Sequence, residues 1–391
     1  MANTTATLNP EKWMSDIQDY LNAMLVCDGI SESRKFDGMV NSGDAINFPY
    51  INDMRVQDYT PGTDATIDDF TATQSTLTID QSKLVGTYID PQELKQAEAK
   101  GYPERLARQA AFVIAQELDQ NVIQAGVTNA AATAVVGGAL SSATIYTALT
   151  DSMANLDREN ATDGPMFAVI DPERCALLAQ SEVANGYNLA DSALKNGFVG
   201  DSQAGFKIFK SNNLPYAVTV TIATQPTNLD TITIAGVTWT CVTDGTAANA
   251  GEIAIGANIA DFKTIFVVAM NGTGTAGASA YIDVSTANRR KYQNIQLTAA
   301  TFSGDTCALT AYGKMSASET FTDATDSFGT ETSQILTGRV GAISVARQMK
   351  PQLRIKPVPA QLGDNYLTHQ LYGSAVFYRD TFRLGTITHN A

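Results

Sequence analysis

Residues 44–80 read DAINFPYINDMRVQDYTPGTDATIDDFTATQSTLTID. Ile46, Phe48 and Tyr50 alternate in the first part, and Leu77 and Ile79 alternate with Thr76, Thr78 and Asp80 at the end. A period of two marks a half-buried strand, so 44–60 and 69–80 are expected to be strands. Between them lies PGTDATID, with Pro61-Gly62 as the turn signal. The stretch therefore reads as one long hairpin. A two-stranded ribbon alone is marginal in water and presents two unpaired edges. Residues 44–69 also carry Asp44, Asp53, Asp58, Asp64, Asp68 and Asp69 against Arg55 alone. Two readings stand: an edge hairpin folded on its own domain and guarded by charge, or an arm that needs another subunit to rest on.

Before the hairpin, residues 10–28 read as a short amphipathic helix. Trp13, Ile17, Tyr20 and Met24 form one stripe with Leu21 beside them, and Gly29 interrupts it. After the hairpin, PERLARQAAFVIAQELDQNVIQA (103–125) is the strongest helical pattern in the chain. Pro103 suits its first position and Gly126 its C-terminal cap. Leu106, Ala110, Ile114, Leu118 and Val122 recur every four residues, with Val113 beside them. Such a helix would be about 35 Å long and would span a domain.

Residues 144–158 give another helix, MFAVI (166–170) a buried strand, and Pro172 opens the helix PERCALLAQSE. This rhythm ends near GFKIFKSNNLP (205–215), where composition changes. Residues 219–337 hold 24 of the 45 threonines. There ITIAGVTWTCV reads as a hairpin, Asn258 to Met270 as a helix stopped by Asn271-Gly272, and 281–284 and 306–311 as strands. From residue 338 onward, AISVARQMKPQLRIKPVP and LYGSAVFYRDTFRLGTITH are strand-rich. Residues 338–391 hold seven Arg or Lys against two Asp, while residues 1–130 hold nine basic against 19 acidic residues. Most such charges are solvated surface, but charge segregated this strongly can orient subunits.

Composition excludes several classes. The chain has 391 residues, which predicts two or three domains, and is 44% hydrophobic and 17% charged, enough for a core. A net charge of −14 opposes dedicated nucleic-acid binding, which relies on clustered Lys and Arg. His369 and His389 are the only histidines, too few for a multi-histidine metal centre. Cys27, Cys175, Cys241 and Cys307 are scattered without a C-x-x-C pair and suit small buried hydrophobes in a reducing compartment. The N-terminus lacks the basic and apolar regions of a signal peptide, and glycines break the uncharged run 120–150, so a soluble chain is expected.

Individual motifs resolve the same way. GTGTAG (272–277) matches G-x-G-x-x-G but follows a helix and leads into a strand, the reverse of a dinucleotide loop. Asp64, Asp68 and Asp69 lack cation-loop spacing, and Asp171/Glu173 read as first-turn acids at a helix start. Arg289-Arg290-Lys291 is too short for nucleic-acid readout. No catalytic, cofactor or metal site emerges.

The ordered set of features resembles the major capsid proteins of tailed bacteriophages, a fold also used by encapsulin shells. SGDAINFPYINDMRVQDYTPG and STLTIDQSKLVGTYIDPQELKQA resemble that family's extended loop and return strand, and PERLARQAAFVIAQELDQNVI its spine helix. TALTDSMANLDRENAT with GPMFAVIDPERCALLAQSE resembles the entry to its axial domain, and the end through LYGSAVFYRDTF its closing strands. The likeness covers roughly residues 10–216 and 338–391, and its order carries the weight.

The resemblance implies an α+β fold of the Hong-Kong-ninety-seven type. It would comprise an N-terminal arm (1–43), an extended loop (44–84), a peripheral domain (85–143 and 338–391), an axial domain (144–216) and a Thr-rich α+β insertion (217–337). It implies a non-enzymatic subunit that self-assembles into pentamers and hexamers of an icosahedral shell around phage DNA, found in the virion and in host cytoplasm during assembly. With only 43 residues before the hairpin, it further implies a separate scaffolding protein and no large cleaved segment. A portal and a decoration protein are the other implied partners; no cofactor and no membrane are. Acidic hairpin and basic tail add an expected inter-subunit contact of Asp58, Tyr59, Asp64, Asp68 and Asp69 with Arg347, Lys350 and Arg354. An encapsulin-like compartment, an exported surface or adhesion protein, and an enzyme are the alternatives; the insertion, the missing export signal and the residue inventory respectively weigh against them.

Overall fold

The computed structural model describes residues 26–32, 45–51, 56–58, 60–62, 64, 72–90, 102–161, 163–185, 202–358 and 363–390. The helix expected over 10–28 lies outside them up to residue 25. In chain order come α1 (Cys27–Ile30), β1 (Ser31–Glu32), β2 (Ala45–Ile51), β3 (Ala72–Thr78), β4 (Gln81–Ile89) and α2 (Tyr102–Asn129). β5 (Ala132–Ala139), α3 (Ile145–Arg158), β6 (Met166–Ile170), α4 (Pro172–Asn185), β7 (Ser202–Gln203), β8 (Phe206–Lys210) and β9 (Pro215–Thr221) follow. Next are β10 (Thr231–Ile234), β11 (Val237–Val242), β12 (Glu252–Ala254), α5 (Ile259–Asn271), β13 (Tyr281–Ile282), α6 (Thr286–Asn294), β14 (Thr298–Ala299) and β15 (Thr306–Tyr312). β16 (Ser318–Glu319), β17 (Ser327–Phe328), β18 (Thr332–Arg339), β19 (Ile343–Pro357) and β20 (Asp364–Ala375) lead to a 3-10 turn (Tyr378–Arg383) and β21 (Leu384–Asn390).

The chain forms two compact units. The first takes residues 1–131, 161–164 and 339–384; the second takes 132–160, 165–338 and 385–391. In the first, a four-stranded sheet runs β1-β19-β20-β4. Its axis is the antiparallel pair β19–β20, matched from Ser344↔Ala375 to Pro357↔Asp364 with register shifts between Arg347 and Met349 and between Met349 and Gln352. Pro351 falls within the second shift, where a residue without an N–H costs no ladder bond.

Helix α2 covers one face of this sheet. Tyr366, Thr368, Gln370 and Tyr372, alternate residues of β20, are buried, and Asn121 Nδ2 donates to Tyr372 Oη at 2.6 Å. Lys83 of β4 pairs with Glu117. The buried stripe of α2 is Ala111, Ile114, Ala115, Leu118 and Val122. Val113 is not on it: Val113 is 39% and Phe112 48% exposed. At 3.6 residues per turn a position next to Ile114 lies about 100° around the helix, so the sequence stripe was drawn too wide. Nor does the helix stop at Gly126. It continues to Asn129, its last turn held by Gln124 Nε2 to Thr128 Oγ1 at 2.8 Å and Asn129 Nδ2 to the Ala125 carbonyl at 2.9 Å. These side-chain bonds offset a glycine cost of about 1 kcal/mol.

The second unit is built on a ten-stranded sheet ordered β14-β15-β9-β18-β6-β8-β7, with β17 on β9, β21 on β18, and β5 on β21. β6, the MFAVI run, has Phe167, Ala168, Val169 and Ile170 fully buried and pairs in parallel with β8. This is the expectation for a strand covered on both faces. The stretch 217–337 is divided between sheets. β14, β15, β17 and most of β9 and β18 belong to the ten-stranded sheet, while β13-β12-β11-β10-β16 form a separate five-stranded one.

Local chemistry shapes the smaller sheet. β10 and β11 pair from Thr231↔Thr240 to Ile234↔Val237, leaving Ala235 and Gly236 in the turn at φ 52° and 67°. Two consecutive positive φ angles make the type I′ hairpin turn that matches strand twist. Helix α5 starts at Asn258, whose side chain accepts from the Asp261 N–H, and ends at Gly272 with φ 63°. Gly272 N–H bonds the Ala269 carbonyl and Thr273 N–H the Val268 carbonyl, a Schellman stop. Arg289, from the basic triplet, pairs with Asp283 and donates to the Ala269 and Met270 carbonyls at 2.9 and 3.1 Å. Its guanidinium also faces the Trp239 and Tyr292 rings at 5.7 and 5.6 Å. The charge serves the core of this sheet.

In the first unit, Asp119 of α2 is buried and accepts from the backbone N–H groups of Cys27 (2.9 Å) and Val26 (3.2 Å). Burial pushes its carboxyl up to about 6 despite those bonds. The folded state then holds this proton more tightly than the unfolded chain. Stability from this group is full below about pH 4 and is lost as pH rises through about 6, by about 3 kcal/mol. Urea unfolding should therefore show a pH 4.5-to-7 loss of stability that shrinks in Asp119→Asn.

Candidate subunit-contact surface

The β2–β3 ribbon pairs in register over seven residues, from Ala45↔Thr78 to Ile51↔Ala72. Among the described residues its base is the part that meets a core. Leu77 and Ile79 are buried with Ala346, and Ile46, Phe48, Leu371, Ala375 and Phe377 pack around them. Phe48 meets Phe377 with ring centroids 4.9 Å apart, and Tyr50 stacks on Tyr378 at 5.1 Å. Arg379 donates to the Ile51 carbonyl at 3.3 Å. Aromatic pairs of this kind contribute about 0.5–1.5 kcal/mol beyond the area they bury. A cleft of about 220 Å³ lies beside them, with Glu32, Ser75, Ser344 and Arg383 in its wall.

The seat depends on Gly373. A Cβ there would collide with the Thr78 carbonyl oxygen and its carbon, which are backbone and cannot swing aside. Sequence reading missed this seat, although the aromatic run in LYGSAVFYRDTF was its signal. At its base the hairpin follows the first reading. The base is folded on its own unit; beyond it, Val56 is 99% exposed, and Asp58 and Asp64 are exposed.

The other expected contact residues are distributed as follows. Tyr59, Asp68 and Asp69 lie outside the described residues, as does the side chain of Lys350, whose backbone is part of β19. Arg354 is exposed on β19 opposite Leu367. Arg347 pairs with Asp28 of its own chain, so its charge is compensated beside α1. Arg354 shares with Leu84 (60% exposed) and Tyr88 the sheet face opposite α2.

Asp171 and Glu173 do the work of a helix start. Asp171 accepts from the Arg174 N–H at 3.3 Å and from its guanidinium at 3.1 Å, and Glu173 takes Lys314, whose hydrogen bond holds its carboxyl below the usual range. All four cysteines are free and buried; burial pushes the thiols of Cys175 and Cys307 up to about 11 and that of Cys241 to about 12. Among the described residues no group of three His, Cys, Asp or Glu is placed to hold a metal ion, and no helix is long and apolar enough to cross a membrane.

A methyl group at Gly373 should unseat the ribbon. Gly373→Ala is expected to cost about 1–3 kcal/mol, as overpacking does, and to speed tryptic cleavage at Arg55. Gly277→Ala, with nothing within 4 Å of the added atom, should stay within about 0.5 kcal/mol.

No protein-family model matches this sequence, and no curated protein does. Solved structures do match. A structure from Mycobacterium phage Che8 aligns with TM-score 0.51 and 12% identity, covering 93% of this chain and 90% of that one. The capsid structure of the cyanophage P-SCSP1u aligns at 0.46 and 14% (93% and 86% covered). A virus-like particle from Pyrococcus furiosus aligns at 0.45 and 11% (96% and 98%). At such identities the likeness is one of fold, and this chain has the mixed α+β fold of the Mycobacterium phage Che8 structure.

Proposed function

We propose that the chain is the repeating subunit of a closed shell of the tailed-phage capsid type and that it acts by assembly rather than by chemistry. The observation that carries this reading is the fold it shares, over nearly its whole length, with the Mycobacterium phage Che8 structure. The ribbon supports it: its base is tied to its own unit by Phe377 and Tyr378, while Asp58 and Asp64 beyond the base are exposed.

In this reading copies form pentamers and hexamers of an icosahedral shell around double-stranded DNA, assembled in the host cytoplasm with a separate scaffolding protein, a portal and a decoration protein. Asp58, Tyr59, Asp64, Asp68 and Asp69 of one copy meet Lys350 and Arg354 of the next; Arg347 stays with Asp28. Each exposed pair contributes only about 0–1 kcal/mol, but closed symmetry repeats it around every ring.

Removing residues 56–72 is expected to leave a folded monomer that forms no closed particles by light scattering and negative-stain microscopy. Wild-type-like particles from that deletion would overturn the reading. Arg354→Glu should slow assembly, and raising salt from about 0.05 to 0.5 M should slow wild type more than this variant, because the Debye length shortens from about 14 to about 4 Å.

A further inference from the structure

The second unit ends in a strand that holds another one in place. β21 pairs with β18 on one side and with β5 on the other, and β5 has no other partner in the sheet among the described residues. The β5 pairing is parallel, from Gly385↔Ala132 to Asn390↔Ala139. Leu384, Thr386, Ile387 and His389 of β21 are buried. Whatever loosens β21 therefore also removes the strand partner of β5.

His389 is the residue placed to do so. It is 1% exposed. Its Nδ1 lies 2.9 Å from the Asn390 carbonyl oxygen, and Arg174 Nη2 donates to that same oxygen at 2.8 Å. A carbonyl only accepts, so Nδ1 carries the proton and Nε2 the lone pair. Nε2 is buried without a hydrogen-bond partner. The neutral ring tolerates this position. A second proton would put a donor without an acceptor, and a full charge, into the interior beside the Arg174 guanidinium.

The surrounding charges compensate it only in part. Asp171 faces the ring but already takes Arg174 and the Tyr216 hydroxyl, both at 3.1 Å. Glu173 shares Arg174 and is held by Lys314. β5 (ATAVVGGA) has no titratable residue, and β18 contributes Ser333 and Gln334 near this end, with Arg339 at the other. Burial, with Arg174 adding to it, holds the imidazole below its ordinary range against the Asn390 carbonyl bond and Asp171, which favour the charged ring.

We propose that His389 makes β21 an acid-released latch: neutral, the ring stays buried and β21 holds β5 to the sheet; protonated, it drives β21 out and releases both strands. The sign follows from linkage. A depressed histidine stabilises the folded strand above about pH 6.5 and loses that contribution as pH falls toward the folded value. This proposal is independent of the shell reading, since it concerns one chain.

Hydrogen exchange of the peptide spanning 384–390, in the full chain and corrected for intrinsic rates, tests it from pH 7.5 to 5. Wild type should lose protection by up to about tenfold per pH unit below pH 6.5, together with the 132–139 peptide. His389→Gln should remove that dependence, and His369→Gln should keep it. Asp119 titrates nearby but lies in the other unit and has the opposite sign, so a local readout separates them. The latch is overturned if wild-type protection is flat with pH, or if it falls equally in His389→Gln. Should that variant not fold, the wild-type and His369→Gln profiles decide: a loss confined to these two strands upholds the latch, and a uniform or absent loss rejects it.

Discussion

The antiparallel pairing of β19 with β20 is the interaction on which the first unit depends. Two strands of 15 and 12 residues from the end of the chain provide an edge for β1, an edge for β4, one face for α2 and the other for the base of the hairpin. Each of those pieces comes from the first third of the sequence and would be marginal alone. A short strand, a ribbon and an isolated helix all lack a second layer to bury against. The first unit is thus closed by contacts of high sequence separation, an arrangement that slows folding.

Polar groups carry much of the specificity. Asp119 ties the Val26–Cys27 backbone to the long helix, Arg289 joins the end of one helix to the core of the small sheet, and Asp326 accepts from the Ala223 and Thr224 N–H groups and the Thr224 hydroxyl. In each case a buried or half-buried charge accepts or donates several bonds, which is the condition for tolerating it inside. Charges that look like surface decoration in the sequence are therefore structural in several places, and the number left for partners is smaller than composition implies.

For the shell reading, the division within the hairpin matters most. The ribbon is anchored at its base, and the aromatic pairs at Phe377 and Tyr378 set the direction in which it leaves the unit. Among the described residues Asp58 and Asp64 beyond the base are exposed, and Arg354 is likewise exposed.

What the sequence determined alone is what short-range chemistry decides. Pro172 starts α4, Asn258 and Gly272 bound α5, Ala235-Gly236 makes the β10–β11 turn, and the alternation read over 44–60 and 69–80 gives a ribbon, because each depends on φ angles or bonds within a few residues; the strands themselves are shorter, Ala45–Ile51 and Ala72–Thr78, and residues 56–58 are not strand. The charge pattern pointed to Arg347 and Arg354 alike; the first pairs with Asp28 of its own chain, which no charge count could show, and the second is exposed. Tertiary structure decided the rest. Gly126 stays helical because side chains of neighbouring turns bridge it, Val113 is exposed because the sheet covers a narrower arc of α2 than the pattern suggested, and Arg347 turns inward because Asp28 lies beside it. Residues 217–337 are divided between two sheets because strands such as β9 and β10 pair with β15, β16, β17 and β18, far along the chain, and no local window contains both partners.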